Sequence, residues 1–285
     1  MTKKDIAWVT DSTAFITEEF KNNPDVYVVP LRIVFGEEVF EDGIDLTTDQ
    51  LYNRINNQKE LPKTSQPSVG RFVELFEKLK LEYNHTIAVH ISAKLSGTVA
   101  SCTAAVEISQ YEVEVVDSKC MSYTITTLIN KGMELAKQGI NFKDIAKKLR
   151  QETQNAENYM VLGNLEQFYK GGRMSGTQYL LGSILSIKPI IQINTQGEFM
   201  LFEKVRSEAK AFKRMLDLFH KSYDNYKIPQ LQIMHGNVLT KATELKKEFL
   251  KFFPNLDIFI GEISSTIAVH AGEGTIALIW HNEEK

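Results

Sequence analysis

Residues 64–68 read Thr-Ser-Gln-Pro-Ser, three hydroxyls and an amide around one proline, directly ahead of an amphipathic run. A helix cap needs one hydroxyl, and Ser68 supplies it: its side chain can accept from a first-turn N–H while Pro67 fixes an extended approach. Thr64, Ser65 and Gln66 are surplus to the cap. They read either as a water-exposed polar loop or as hydrogen-bonding groups for an acid. Leu95-Ser96-Gly97-Thr98 offers related chemistry, because it follows an apolar run and opens a helix of small residues. Unpaired N–H groups converge at such a helix start, so the Ser96 hydroxyl and the Gly97 backbone suit an oxyanion.

Of six histidines, His270 stands out in "STIAVHAGEG", just ahead of a glycine-rich turn feeding an apolar strand. There one ring nitrogen can donate to an anion while a neighbour holds the other. The histidines form no HExxH and no i, i+4 pair, and Cys102 and Cys120 form no CxxC, so a zinc site is not expected. A serine hydrolase is the enzymatic alternative, with Ser96, His270 and either Asp11 or Asp117 as the orienting acid. Against it, Ser96 lies in LSG and not in a GxSxG elbow. The surplus of hydroxyls also suits binding better than nucleophilic attack.

Neither GxxxxGK[ST] nor a GxGxxG after the first strand is present, so the usual nucleotide fingerprints are missing. In "YKGGRMSGTQYLLGSILSIKP" (169–189), paired glycines precede Arg173, which reads as a tight turn or as an anion loop meeting a partner protein or its phosphate. The following run, 176–187, puts Leu180, Ile184 and Leu185 among apolar residues on more than one helical face. Such a helix is buried on several sides, by core or by an inserted chain. At about 0.8 kcal/mol per CH₂, a sixteen-carbon tail contributes on the order of 10 kcal/mol before binding costs, far more than one polar contact.

These residues need a scaffold. Strands at 6–11, 85–92 and 113–118 alternate with helical runs at 69–82, 97–110 and 123–139, the pattern of a parallel sheet covered by helices. Asp11, Ser92 and Asp117 then fall on one carboxyl edge, where such sheets bind ligands. Residues 26–35 lead through "FGEEVF" into a hairpin or an arm. From 157 the pattern changes to strands at 157–163, 229–236, 256–264 and 274–281, a hairpin around "NTQGE", and helices near 207–223 and 239–251. This predicts a first domain over 1–153 and a mixed-sheet α/β domain over 154–285.

Composition sets outer bounds. With 285 residues and 43% hydrophobic content, two cores are readily built. A net charge of −3 gives no general attraction to nucleic acid or to an anionic membrane. No apolar run approaches the roughly 20 residues that cross a bilayer. Two cysteines and a start without a secretory core suggest a reducing, cytoplasmic setting.

"VTDST" at the start, "TSQPS" at 64–68, "LSGT" at 95–98, "VVDS" at 115–118, "GGR" at 171–173, "KPI" at 188–190 and the ending "GEISSTIAVHAGEG" occur in an order that closely resembles the DegV family of bacterial fatty-acid-binding proteins, including the subunits that present lipid to fatty acid kinase. The resemblance spans nearly the whole chain. It implies a three-layer α/β/α N-terminal domain, a C-terminal α/β domain, and one long-chain fatty acid in an internal channel between them as ligand, with no cofactor. By the same resemblance Thr64, Ser96 and His270 meet the carboxylate. Gly97 joins them through its backbone, Ser65 and Gln66 shape the surroundings, and Leu180, Ile184 and Leu185 line the channel. Arg173 is expected near a separate ATP-binding fatty acid kinase subunit that makes the acyl phosphate for phospholipid synthesis. A lipid sensor or interaction protein without a kinase is the further alternative, and transient membrane contact is compatible with either. The chain departs from the family's HxGPG turn with His270-Ala271-Gly272-Glu273-Gly274. Glu273 there would repel a bound carboxylate unless it points outward.

Overall fold

The computed structural model describes residues 3–57, 61–173 and 187–285. It divides into two compact units, each discontinuous in sequence: Met1–Thr47, Pro62–Gln154 and Ser264–Thr266 form the first, and Thr48–Leu61, Asn155–Ile263 and Ile267–Lys285 the second.

In the first unit, β1 (Lys4–Asp11) leads through α1 (Glu18–Asn22) to β2 (Val26–Val29) and the hairpin β3 (Arg32–Phe35) and β4 (Glu38–Glu41). Gly36, at φ 59°, makes that tight turn possible. After α2 (Thr48–Asn57), which belongs to the second unit, come β5 (Lys63–Ser65), α3 (Val69–Glu82), β6 (Tyr83–His90), α4 (Thr98–Ser109), β7 (Val113–Asp117), α5 (Tyr123–Lys137) and α6 (Phe142–Glu152).

The main sheet is parallel throughout, in the order β2-β1-β6-β7. Its strands are apolar on both faces because helices cover both. Ala7, Val9 and Ala88 pack with Phe72, Phe76 and Leu79 of α3 and with Cys102 and Ala105 of α4. On the other face Trp8 lies so close to Gly132 of α5 that a Cβ there would sit 2.5 Å from the indole ring. This is the expected α/β/α layering.

The second unit contains β8 (Ala156–Val161), α7 (Leu165–Lys170), β9 (Lys188–Ile193), β10 (Phe199–Val205), α8 (Glu208–Asn225), β11 (Gln230–His235), α9 (Leu239–Phe252), β12 (Asp257–Glu262), α10 (Ser265–Ala271, from Ile267 onward) and β13 (Ile276–His281). Its sheet is mixed, in the order β10-β9-β8-β13-β11-β12, with only β11 and β12 parallel. Phe219 of α8 anchors the core with ring centroids 5.4 Å from Phe249, 5.1 Å from Phe253 and 5.3 Å from Trp280.

Candidate functional site

In the first unit the polar strand ends do line up. Asp11 closes β1, His90 closes β6 and Asp117 closes β7, while Ser92 lies two residues past its strand. Residues 92–97 then form one tight turn into α4: the Ser92 carbonyl accepts from Leu95 N at 2.9 Å and Ser96 N at 3.1 Å. Gly97 is the N-cap of α4 and offers no side-chain cap. The local oxygen is Ser96 Oγ, which accepts from Thr98 N at 3.4 Å and lies 2.8 Å from Thr98 Oγ1.

Thr64 is not in a loop. It sits in the middle of β5, opposite Ile33 of β3 in a three-stranded antiparallel sheet with β4. A three-residue strand carries too few positions for periodicity to reveal it. Ser68 caps α3 as its sequence implied, accepting from Arg71 N at 3.3 Å. Ser65, the last residue of β5, and Gln66 after it are exposed. The Gln66 amide nevertheless reaches the start of α4: a Cβ on Gly97 would lie 3.0 Å from its Cδ and Nε2. The segments "TSQPS" and "LSGT" therefore meet at Gln66 and Gly97, 31 positions apart.

Asp11 is engaged by His90, whose Nδ1 lies 3.0 Å from Oδ2. Both side chains are completely buried. Burial opposes a charge on His90, but contacts with Cys102 and Asp11 outweigh it and push the imidazole up to about 10. The orienting role proposed for Asp11 in a hydrolase is thus directed at His90. This buried pair was missed from sequence, where His90 reads only as the end of an apolar strand.

In the second unit His270 lies in the last turn of α10 and not on the turn itself, which begins at Gly272 with φ 80°. The helix continues through Ala271 because its alanine and β-branched neighbours Ile267, Ala268 and Val269 are buried along it. Gly171 makes room for the imidazole: a Cβ there would stand 2.5 Å from His270 Nδ1. Burial first, and the Arg173 charge second, push His270 down to about 4. The ring is therefore neutral near pH 7 and can offer an N–H, not a full positive charge.

Arg173 is half-buried and donates to Gly171 O; burial lowers its pKa. Glu273 is tied by amides, with Asn237 Nδ2 donating to Oε1 at 2.7 Å and Asn56 Nδ2 to Oε2 at 3.3 Å. Leu180, Ile184, Leu185 and the rest of the 174–186 stretch lie outside the described residues.

The His270 environment has a measurable consequence. Its unfolded pKa is about 6.5, so between about 6.5 and 4 the unfolded chain takes up a proton that the folded one refuses. This contribution lowers stability as pH falls through that window and levels off below it. The ring resonances of His270 should titrate with a midpoint near 4 in the ligand-free protein. A midpoint near 6.5 would show an open, uncharged setting instead.

Comparison with known proteins agrees with this architecture. The family model described as "Uncharacterised protein, DegV family" matches residues 5–283. A DegV domain-containing protein of Halalkalibacterium halodurans is 35% identical, with 100% of both chains covered. Among solved structures, a fatty acid binding DegV family protein from Streptococcus agalactiae superposes with a TM-score of 0.92 at 30% identity, covering 99% of this chain and 100% of that one. DegV, a fatty acid binding protein from Bacillus subtilis, gives 0.88 at 30% identity, with 99% and 100% covered. The two α/β units with one parallel and one mixed sheet are the DegV architecture, and this chain belongs to the DegV family.

Proposed function

We propose that this protein binds a long-chain fatty acid in an internal apolar channel. The carboxylate is held by the hydroxyls of Thr64 and Ser96 and by the Gly97 backbone, with neutral His270 assisting. Ser65 and Gln66 shape the head-group surroundings. The observation that carries this reading is the helix start at Ser96–Thr98, where two hydroxyls and the first turn of α4 converge and Gln66 is laid against Gly97. The fatty acid binding function of the Streptococcus agalactiae and Bacillus subtilis relatives supports it.

Lipid extraction and mass spectrometry of protein purified from bacteria tests the class. A stoichiometric acyl ligand, or uptake of added palmitate or oleate, is the expected result. Protein that carries none and takes up neither would overturn the reading.

In the fuller form of the proposal, the loaded protein serves a separate fatty acid kinase subunit, inside the cytoplasm. That partner transfers the γ-phosphoryl group of ATP to a carboxylate oxygen, giving acyl phosphate and ADP for phospholipid synthesis. No helix among the described residues is long and apolar enough to cross a membrane. Arg173 is assigned to the partner side. Replacing it with alanine should reduce acyl phosphate formation at least tenfold more than it reduces palmitate binding, a loss of about 1.4 kcal/mol confined to transfer. Equal losses in both assays would move Arg173 to the ligand.

A further inference from the structure

The turn that carries Ser96 is tied down by two carboxylates at neighbouring strand ends. Asp11 is fully buried and accepts from four donors: Thr13 N at 3.0 Å and Thr13 Oγ1 at 2.5 Å on Oδ1, and His90 Nδ1 at 3.0 Å and Ile91 N at 2.9 Å on Oδ2. Asp117 accepts from Ala93 N at 3.3 Å and Lys119 N at 2.9 Å through Oδ1, while Oδ2 pairs with Lys119 Nζ at 2.8 Å. Ser92, between the two gripped residues, donates its N–H to Cys120 O at 2.8 Å. Ser92 then sets the turn, since its carbonyl receives Leu95 N and Ser96 N and its hydroxyl receives Lys94 N at 3.2 Å.

Charge matters as much as geometry here. A bare carboxylate beside the start of α4 would repel an incoming acid. Each of these two is matched by a basic side chain, Asp11 by His90 and Asp117 by Lys119. A matched carboxylate can orient backbone N–H groups without spoiling the positive end of the helix.

Resting on the carboxylate site proposed above, we infer that Asp11 and Asp117 are positioning residues for the acid head group: they fix Ile91 and Ala93 so that the Ser96 hydroxyl and Gly97 backbone stand ready for a carboxylate. Neither touches the ligand. Asp11 has the larger share, because it is buried and all four acceptor sites are used. Asparagine keeps its shape but turns one acceptor oxygen into a donor NH₂ facing existing donors.

The test uses the delipidated full chain and two ligands of equal tail, palmitate and hexadecanol, competed against a fluorescent fatty-acid probe. Misplacing one charge-assisted hydrogen bond should weaken palmitate about fivefold or more in Asp11→Asn and about threefold in Asp117→Asn, with hexadecanol changed less than about twofold. A merely structural role would lower both ligands together. Should Asp11→Asn fail to fold, the exposed side of the same turn is still tested by Asp117→Asn. Equal losses for the two ligands, or unchanged palmitate affinity in the folded variants, overturn the inference. Ser96→Ala in the same assay separates the layers. If it keeps the full preference for palmitate, the carboxylate site is wrong and the positioning role falls with it; if it loses that preference while the aspartate variants keep theirs, only the positioning role fails.

Discussion

Gly163→Ala is expected to cost about 3–5 kcal/mol of folding stability, enough to leave little native protein at 37 °C. Its Cβ would sit 1.8 Å from the carbonyl oxygen of Glu273, 2.5 Å from the Glu273 carbonyl carbon and 2.9 Å from Thr275 N. All three are backbone atoms, so no rotamer change relieves the clash. The backbone itself is held by a closed set of bonds. Gly163 N donates to Thr275 Oγ1 at 2.9 Å, and that hydroxyl shares its one proton between Ala271 O at 2.9 Å and Gly272 O at 2.8 Å. Gly236 N reaches Thr275 O at 2.9 Å, and Gly274 N reaches Gly236 O at 2.8 Å. Admitting a methyl group means opening this knot, which is the turn that follows His270. Urea unfolding should show the midpoint falling sharply. Gly97→Ala is the informative contrast, because its φ of −74° is ordinary and the atoms a Cβ would meet belong to the flexible Gln66 side chain. It should change stability by less than about 1 kcal/mol. Near-wild-type stability in Gly163→Ala would mean that this backbone crossing is looser than its geometry states.

The contrast between these glycines also shows what sequence can and cannot reveal. Long apolar runs declare themselves: 85–92 became β6, and Phe72, Phe76 and Leu79 recur at helical spacing and are buried in α3. The carboxyl-edge placement of Asp11 and Asp117 followed from the same alternation. Gly163 was silent, because the atoms that forbid its side chain lie 110 positions away in the chain. The strand at Thr64 is silent for a related reason, since the three-residue β5 exists only through its pairing with β3. His270 was placed on a turn because the glycines after it are conspicuous, whereas the seven-residue helix that holds it is too short to show a period. The charge of Glu273 was legible, but its partners Asn56 and Asn237 come from segments nothing in the local pattern connects to it. Local propensity and period are written in neighbours; the close approach at Gly163 and the amide partners of Glu273 are written in residues far apart.

Ser96→Ala should weaken palmitate binding about ten- to hundredfold, the equivalent of a lost hydrogen bond to a charged group at about 1.5–3 kcal/mol. The hydroxyl already receives Thr98 N, and Thr98 Oγ1 stands 2.8 Å away with its residue wholly buried. With Thr98 Oγ1 donating, the Ser96 oxygen has both acceptor positions in use and its own proton is left to point at the ligand. A donor polarised in this way binds a carboxylate more strongly than a lone hydroxyl. Alanine removes that donor and also strands the Thr98 N–H at the first turn of α4, so loss of affinity should exceed the change in stability. Hexadecanol, whose head carries no charge, should lose far less than palmitate. Thr98→Val supplies the discriminating control: it removes the neighbour that aligns Ser96 while leaving the Ser96 hydroxyl in place, and should give a smaller, acid-specific loss. Undiminished palmitate binding in Ser96→Ala would place the acid head group elsewhere in the molecule and leave this helix start an ordinary turn.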